Sequence, residues 1–284
     1  MSKIIALVDG SVYSQSVCDH AAWIASRTGS GVEILHALGR RRATNTPSNL
    51  SGNIALGART SLLTELSERD AQTAKKSQEH GRAILDKAQK QLVAAGIADV
   101  TTRLRIGDIV EEVAAYEVDA EIVLIGKRGD AADFVKLDLG SNLERIARSC
   151  QKPVFVAARA FTPVKRFLIA FDGGASSRKA VGHVAASHLF AGLLCSLLAV
   201  GPDTPETRAH LKAAQTTLEA AGYEVDAAII QGPADLLIAS AVEAEDIGLL
   251  VMGAYGHSRI RNLIIGSTTT EMIRLCKIPV VLFR

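Results

Sequence analysis

Four short blocks occur twice in this chain, in the same order, and that repetition limits the possible folds more than any other feature. Lys3-Ile-Ile-Ala-Leu-Val-Asp9-Gly10 matches Arg166-Phe-Leu-Ile-Ala-Phe-Asp172-Gly173. Glu121-Ile-Val-Leu-Ile-Gly126 matches Gly248-Leu-Leu-Val-Met-Gly253, Gly140-Ser141 matches Gly266-Ser267, and Cys150-Gln-Lys-Pro153-Val-Phe-Val matches Cys276-Lys-Ile-Pro279-Val-Val-Leu. One such match could arise by chance, but four in register imply two copies of one structural unit. The join lies near residues 158–163, around Thr162-Pro163, which leaves almost no linker. The expected domains are therefore residues 1–159 and 160–284. Both fit the usual domain size of about 100–200 residues and are long enough to bury a core.

Each copy alternates short apolar runs with amphipathic stretches. In the second copy the runs fall near 164–171, 193–200, 225–231, 248–252 and 279–283, with helical patterns such as Ser176 to Leu189 and Glu206 to Ala221 between them. The runs are rich in Val, Ile and Leu and lack strict polar alternation, as expected of strands covered on both faces. Strand–helix–strand alternation predicts a doubly wound α/β fold with a parallel sheet. Gly96 and Gly222 sit where a helix should end before a strand. In such sheets ligands lie beyond the carboxyl ends of the strands at the topological switch point. Asp9 and Asp172 close first strands, and Gly126 and Gly253 close fourth strands. For both to line one crevice, the first and fourth strands must be neighbours, which predicts the order 3-2-1-4-5.

The copies differ in length. Asp9 to Gly126 spans 117 positions, whereas Asp172 to Gly253 spans 81. The extra residues fall after the second strand, at about 39–75. Arg40 to Asn53 is rich in Arg, Thr, Ser, Asn and Gly and reads as a solvated, poorly ordered loop. From about Ser61 to Gln91 the pattern is helical.

Bulk properties narrow the class of partner. The formal net charge of +2 gives no argument for a nucleic acid or a membrane surface. The longest mostly apolar stretch, Leu189 to Val200, is too short to span a bilayer. The N-terminal sequence has no basic-then-apolar leader. Cysteines 18, 150, 195 and 276 are far apart and have no histidine at zinc-ligand spacing, so they read as buried thiols and no metal site is expected. These features favour the cytoplasm.

The second copy reads Gly253-Ala-Tyr-Gly256, nine residues, then Gly266-Ser267-Thr268-Thr269-Thr270 and a helical stretch, Glu271 to Cys276. A glycine turn lets a ligand approach the backbone, and a helix N-terminus offers free N–H groups and a positive dipole end to an anion. Ser267 and Thr268 add hydroxyl donors. The loop between carries His257, Arg259 and Arg261 and no acid, which suits a polyphosphate. Asp172 would contact the base or sugar.

Gly253-x2-Gly256-x9-Gly266-Ser267, the strand-ending Asp172 and the closing Cys276-Lys-Ile-Pro279 segment together resemble the ATP-binding signature of the universal stress protein family. The resemblance covers both copies and nearly the whole chain apart from the insertion. It implies two tandem five-stranded domains of the adenine nucleotide alpha hydrolase-like type, paired as an intramolecular pseudo-dimer through the fifth strands, Val154–Ala157 against Val280–Phe283. It also implies ATP as ligand, with ADP or AMP as alternatives and Mg as a companion ion. The contacts it implies are Asp172, Met252, Gly253, Gly256, Gly266, Ser267 and Thr268, with His257 and Arg259 in the intervening loop.

The first copy departs from this pattern. Ten residues, not nine, separate Gly129 from Gly140, and they bring in Asp130, Asp133 and Asp138. Glu144 stands one turn into the following helix, where it would satisfy the dipole and repel phosphate. A weakened or reshaped second site is expected here, at Asp9, Gly126, Gly129, Gly140, Ser141 and Asn142. The chain lacks the phosphate-loop, dinucleotide, nucleophile-elbow and zinc-protease motifs, so no catalytic residue is assigned. The expected function is a cytoplasmic ATP-binding stress or regulatory protein with an unidentified protein partner and scope for further homodimerisation. Two alternatives stand beside it: a slow ATP hydrolase or adenylate-handling enzyme on the same scaffold, and a partner-docking scaffold that uses 39–75.

Overall fold

The computed structural model describes residues 2–39, 56–129, 140–254 and 267–284, with backbone only for 56–66 and 267. Loop residues 40–53 of the insertion lie outside it. The first half runs β1 (Lys3–Leu7), α1 (Val12–Thr28), β2 (Gly31–Leu38), α2 (Leu56–Ala94), β3 (Val100–Ile106), α3 (Ile109–Tyr116), β4 (Ala120–Gly126), α4 (Ser141–Ser149) and β5 (Val154–Ala157). The second runs β6 (Arg166–Phe171), α5 (Ala175–Ala186), β7 (Leu194–Val200), α6 (Pro205–Ala220), β8 (Val225–Ile230), α7 (Ala234–Ala244), β9 (Leu249–Gly253), α8 (Ser267–Leu275) and β10 (Val280–Phe283).

All ten strands form one sheet in the order β3-β2-β1-β4-β5-β10-β9-β6-β7-β8. Each half thus has the expected 3-2-1-4-5 order. Pairing is parallel within each half, and the fifth strands meet antiparallel, with Val281 opposite Phe155. Successive strand side chains point to opposite faces, and here both faces are apolar. Ile4 and Ala6 enter one core while Ile5 and Leu7 enter the other; Leu249 and Val251 part from Leu250 and Met252 in the same way. The first core gathers the inner faces of α1, α2, α5 and α6, and the second those of α3, α4, α7 and α8. Both cores run through the β5–β10 seam, where Phe155, Ala157, Val281 and Phe283 belong to the first and Val154, Val156, Val280 and Leu282 to the second.

Local signals set the helix ends. Ser11 caps α1 by accepting from the Tyr13 N–H, and Gly29, at φ 71°, closes it in the left-handed conformation that glycine adopts without penalty. Thr204 caps α6, with Pro205 in its first turn. The expected helix from Ser176 to Leu189 instead stops at Ala186. Ser187 turns extended and its hydroxyl accepts from the Leu189 N–H, starting a short 3-10 turn at His188–Phe190. The helix expected at Glu271–Cys276 starts four residues earlier, at Ser267.

The insertion needs a larger correction. The helical pattern expected from Ser61 begins at Leu56, so much of 39–75 is a leading extension of α2, about 58 Å long in all. The extension departs from the sheet: residues 67–72 are all exposed, whereas Leu85, Ala88 and Leu92 are buried. Gly81 marks the point of contact. A Cβ there would sit 2.7 Å from Leu104 Cδ1 and 3.0 Å from His36 Cδ2, so any larger residue would have to push these side chains aside for α2 to come this close.

Side chains also tie the halves together. Arg27 donates from Nε to the Leu189 carbonyl (2.6 Å) and from Nη2 to that of Ala191. Each fifth-strand-flanking helix receives a cation from the opposite half at its negative C-terminal end. Lys127 donates to the Cys276 carbonyl after α8, and Arg284 donates to the Arg148 carbonyl of α4 at 2.7 Å. Two histidines, each eleven positions after its strand-ending Asp, lie by the seam. The ring centroid of His20 is 5.1 Å from that of Phe155, and that of His183 is 5.1 Å from Phe283.

Candidate functional site

The site begins where β1 ends. Gly10, at φ 84°, turns the chain so that Ser11 starts α1 and the Asp9 carboxylate folds back over the turn. Asp9 Oδ1 accepts from the Ser11 N–H at 3.0 Å and from the Ser14 hydroxyl at 3.2 Å. The Ser14 oxygen in turn accepts from the N–H groups of Asp9 and Gly10. The second half repeats this lock: Asp172 Oδ1 accepts from the Gly174 N–H at 2.8 Å and from the Ser177 hydroxyl at 2.6 Å. Both carboxylates are therefore oriented before any ligand arrives. The serine five positions after each aspartate was not singled out in the sequence, although its recurrence in both copies is a usable signal.

Glycine ends the fourth strand in both halves because the helix after strand one presses against it. A Cβ on Gly126 would lie 2.5 Å from Tyr13 Cβ, and one on Gly253 would lie 2.9 Å from Ser176 Cβ. Gly129 is held as tightly, since its Cβ would sit 2.7 Å from Asp9 Oδ2. The Gly140 N–H donates to the Lys127 carbonyl at 3.2 Å, which brings the N-terminus of α4 back to the end of β4. Gly140 supplies no side-chain cap to the first N–H groups of α4, which point toward the end of β4.

These parts enclose a cavity of about 350 Å³ in the first half. Leu7, Val17, Ile125 and Leu143 make an apolar floor, and Asp9, Gly126, Gly129, Gly140, Ser141 and Asn142 all line it. The structure thus brings together every first-half residue expected at the site. It adds Tyr13 and His36, which the sequence did not reveal. The His36 Nδ1 donates to the Val8 carbonyl at 2.7 Å, which fixes the orientation of the ring. Glu144 is in the first turn of α4 but does not line the cavity. Its charge acts on the helix terminus rather than by contact with a ligand.

In the second half Asp172, Gly253 and the start of α8 take the corresponding places. The Met252 side chain is buried in the core, leaving its backbone at the strand end. Thr268 stands in the first turn of α8, half-buried, and the buried Thr269 hydroxyl donates to the Gly253 carbonyl at 3.3 Å, tying α8 to β9. Ser267 opens α8. Gly256, His257, Arg259, Arg261 and Gly266 lie outside the described residues, as do Asp130, Asp133 and Asp138. Among the described residues there is no cluster of three or more His, Cys, Asp or Glu suited to a metal ion. No helix among them is long and apolar enough to cross a membrane.

The family model described as "Universal stress protein family" matches residues 1–158 and again residues 163–284. A curated universal stress protein of Synechocystis sp. is 36% identical over 287 residues, covering the whole of both chains. A universal stress protein from Archaeoglobus fulgidus, solved by crystallography, has a TM-score of 0.72 at 21% identity, covering 99% of this chain and 98% of its own. A candidate universal stress protein from Pseudomonas aeruginosa has a TM-score of 0.62 at 17% identity, covering 100% of this chain and 93% of its own. At these identities the two crystal structures speak for the fold alone.

Proposed function

We propose that this chain, which belongs to the universal stress protein family, is a cytoplasmic regulatory protein of the stress response that binds an adenine nucleotide, ATP foremost, with the second half as the principal site. The observation that carries this reading is the pre-oriented strand-end carboxylate of both halves, set in the first half beside a glycine-walled helix N-terminus and in the second beside Gly253, to which Thr269 ties α8. The carboxylate suits the hydroxyls of a ribose or the donors of a base. The N–H groups of the helix suit phosphate. The first-half cavity, at about 350 Å³, is within the usual range for small-molecule sites of roughly 300–1,000 Å³.

Preference for the second half rests on sequence. Its glycine spacing is complete, its loop carries His257, Arg259 and Arg261 without an acid, and its helix has Thr270 where the first has Glu144. Calorimetric titration with ATP, ADP and AMP tests the reading on the wild type, Gly266→Val and Gly140→Val. One ATP per chain, lost in Gly266→Val and kept in Gly140→Val, is the expected result. Two sites per chain would make the first half a second nucleotide site, loss only in Gly140→Val would move the assignment to the first half, and no binding of any of the three nucleotides would overturn the reading.

A second reading, that the insertion docks a protein partner, draws on the exposed run 67–72 at the leading end of α2. It predicts that a partner captured by the full chain is lost when 40–75 is deleted, whether or not nucleotide is bound.

A further inference from the structure

A second cavity, of about 320 Å³, opens where the two halves meet. One wall is the segment after β4 together with Arg159 after β5 and Tyr13 of α1. The other is the end of α8 and the turn beyond it, Arg274 to Lys277. Lys127, Arg159, Arg274 and Lys277 line it, and no carboxylate does so among the described residues. Arg128 also lines it but has a partner of its own.

Lys127 is the informative member, being only 9% exposed. Its ammonium donates to the Cys276 carbonyl, and no described carboxylate forms an ion pair with it. An ammonium has three donors and loses hydration when buried, so one carbonyl leaves it under-served. Burial pulls its pKa down to about 8, against a smaller upward pull from Cys276, with the nearby Arg128 charge adding a lesser downward one. It is still mostly charged at neutral pH. Arg159, Arg274 and Lys277 are exposed around it. Arg274 pairs with Glu271 at 2.5 Å through one nitrogen, which leaves other donors of its fork for a ligand. Assembling three cations around a buried ammonium costs Coulomb energy, which a multiply charged anion would reverse.

We propose that this cleft between the halves binds a phosphate-bearing anion, held by Lys127, Arg159, Arg274 and Lys277. The bound anion would touch both halves at once and brace the seam next to the β5–β10 pairing. The cleft shares Tyr13 and Arg128 with the first-half cavity, so the two ligands would be neighbours. The site requires no base or sugar and stands apart from the nucleotide reading.

Inorganic diphosphate is the probe, titrated calorimetrically into the full-length protein at low ionic strength. The variants are Lys127→Met, the surface pair Arg274→Gln/Lys277→Gln, and the double variant Gly140→Val/Gly266→Val, which blocks both nucleotide sites. One diphosphate per chain is expected at the cleft, counted in the glycine double variant, where the nucleotide sites no longer take phosphate. Its affinity should fall roughly ten-fold or more in Arg274→Gln/Lys277→Gln, as loss of charge-assisted hydrogen bonds implies, and should weaken with added salt. The glycine double variant should keep the cleft site at its wild-type affinity. Absence of binding, binding unaffected by the Arg274 and Lys277 changes, or binding lost in the glycine double variant would each overturn the proposal. Should Lys127→Met not fold, the surface pair decides alone. Failure of ATP to bind would overturn the nucleotide reading and leave this one standing.

Discussion

Mild acid should weaken this fold through the two histidines at the seam. His20 is fully buried; its Nδ1 donates to the Ser16 carbonyl at 2.7 Å, and its Nε2 has no partner among the described residues. Burial pulls its pKa down, against smaller upward pulls from Ser16 and Asp19. His183 is also lowered by burial, with Glu121 opposing and Lys179 adding to the shift. A base whose pKa is lower in the fold binds fewer protons there than in the unfolded chain. Stability is then complete above the unfolded value, near 6.5, and declines as pH falls below it. A histidine kept neutral in the fold would forfeit about 1.4 kcal/mol at about pH 5.5. That is an upper limit for His20; His183 should forfeit less, being partly exposed and near Glu121. Together they predict a loss of about 2 kcal/mol between pH 7.5 and 5.5. With a urea slope of about 3 kcal/mol/M, the midpoint should drop by roughly 0.7 M. Urea melts at the two pH values measure this directly. His20→Leu removes the orphaned nitrogen and should remove most of the drop. Equal midpoints at both pH values, or an undiminished drop in His20→Leu/His183→Leu, would refute the reasoning.

Because both cores run through the β5–β10 seam, the halves should melt together. Phe155→Ala removes a fully buried ring at that seam and should cost about 3–5 kcal/mol while keeping a single transition; circular dichroism and Trp23 fluorescence that diverge during the melt would contradict a shared core. All four cysteines are buried as free thiols. Burial pushes Cys18, Cys150 and Cys195 up to about 12 and Cys276 upward as well. A thiol-exchange dye should therefore count none in the native protein and four in denaturant, and prompt native labelling would show that at least one is accessible.

The strand order could be read from the sequence because it rests on a signal of the right length. Buried parallel strands leave unbroken Val, Ile and Leu runs, and a ligand crevice requires first and fourth strands to be adjacent. Helix limits were less legible where one residue decides them. Ser187 can continue a helix or cap the next turn, and only packing selects the cap. Gly57 obscured the start of α2, since glycine is a poor helix former. At the site, the aspartates and glycines carried a positional signal repeated in both halves. His36 did not, because it reaches the cavity from β2 and its neighbour Gly81 comes from a helix 45 positions on. The basic cleft was the least legible: Lys127, Arg159, Arg274 and Lys277 meet only because two distant fifth strands pair.

That cleft also shows what fusing two copies into one chain permits. In a symmetric dimer each contact across the axis is made twice by the same residue, so a cation placed to cap the partner helix appears on both sides. Here the two caps come from different positions. Lys127 serves α8 from the end of β4, where the second half has the buried Ala254; Arg284 serves α4 from the end of β10, where the first half has the buried Ala158. Each substitution breaks the symmetry in one place and leaves the sheet intact. Among the described residues the result is a basic cleft on one side of the seam. An anion bound there would therefore meet the two halves unequally, approaching the first-half cavity through Tyr13 and Arg128 and the second half through the end of α8. A tandem chain can in this way give its two related crevices different neighbours, which a symmetric dimer of identical subunits cannot do.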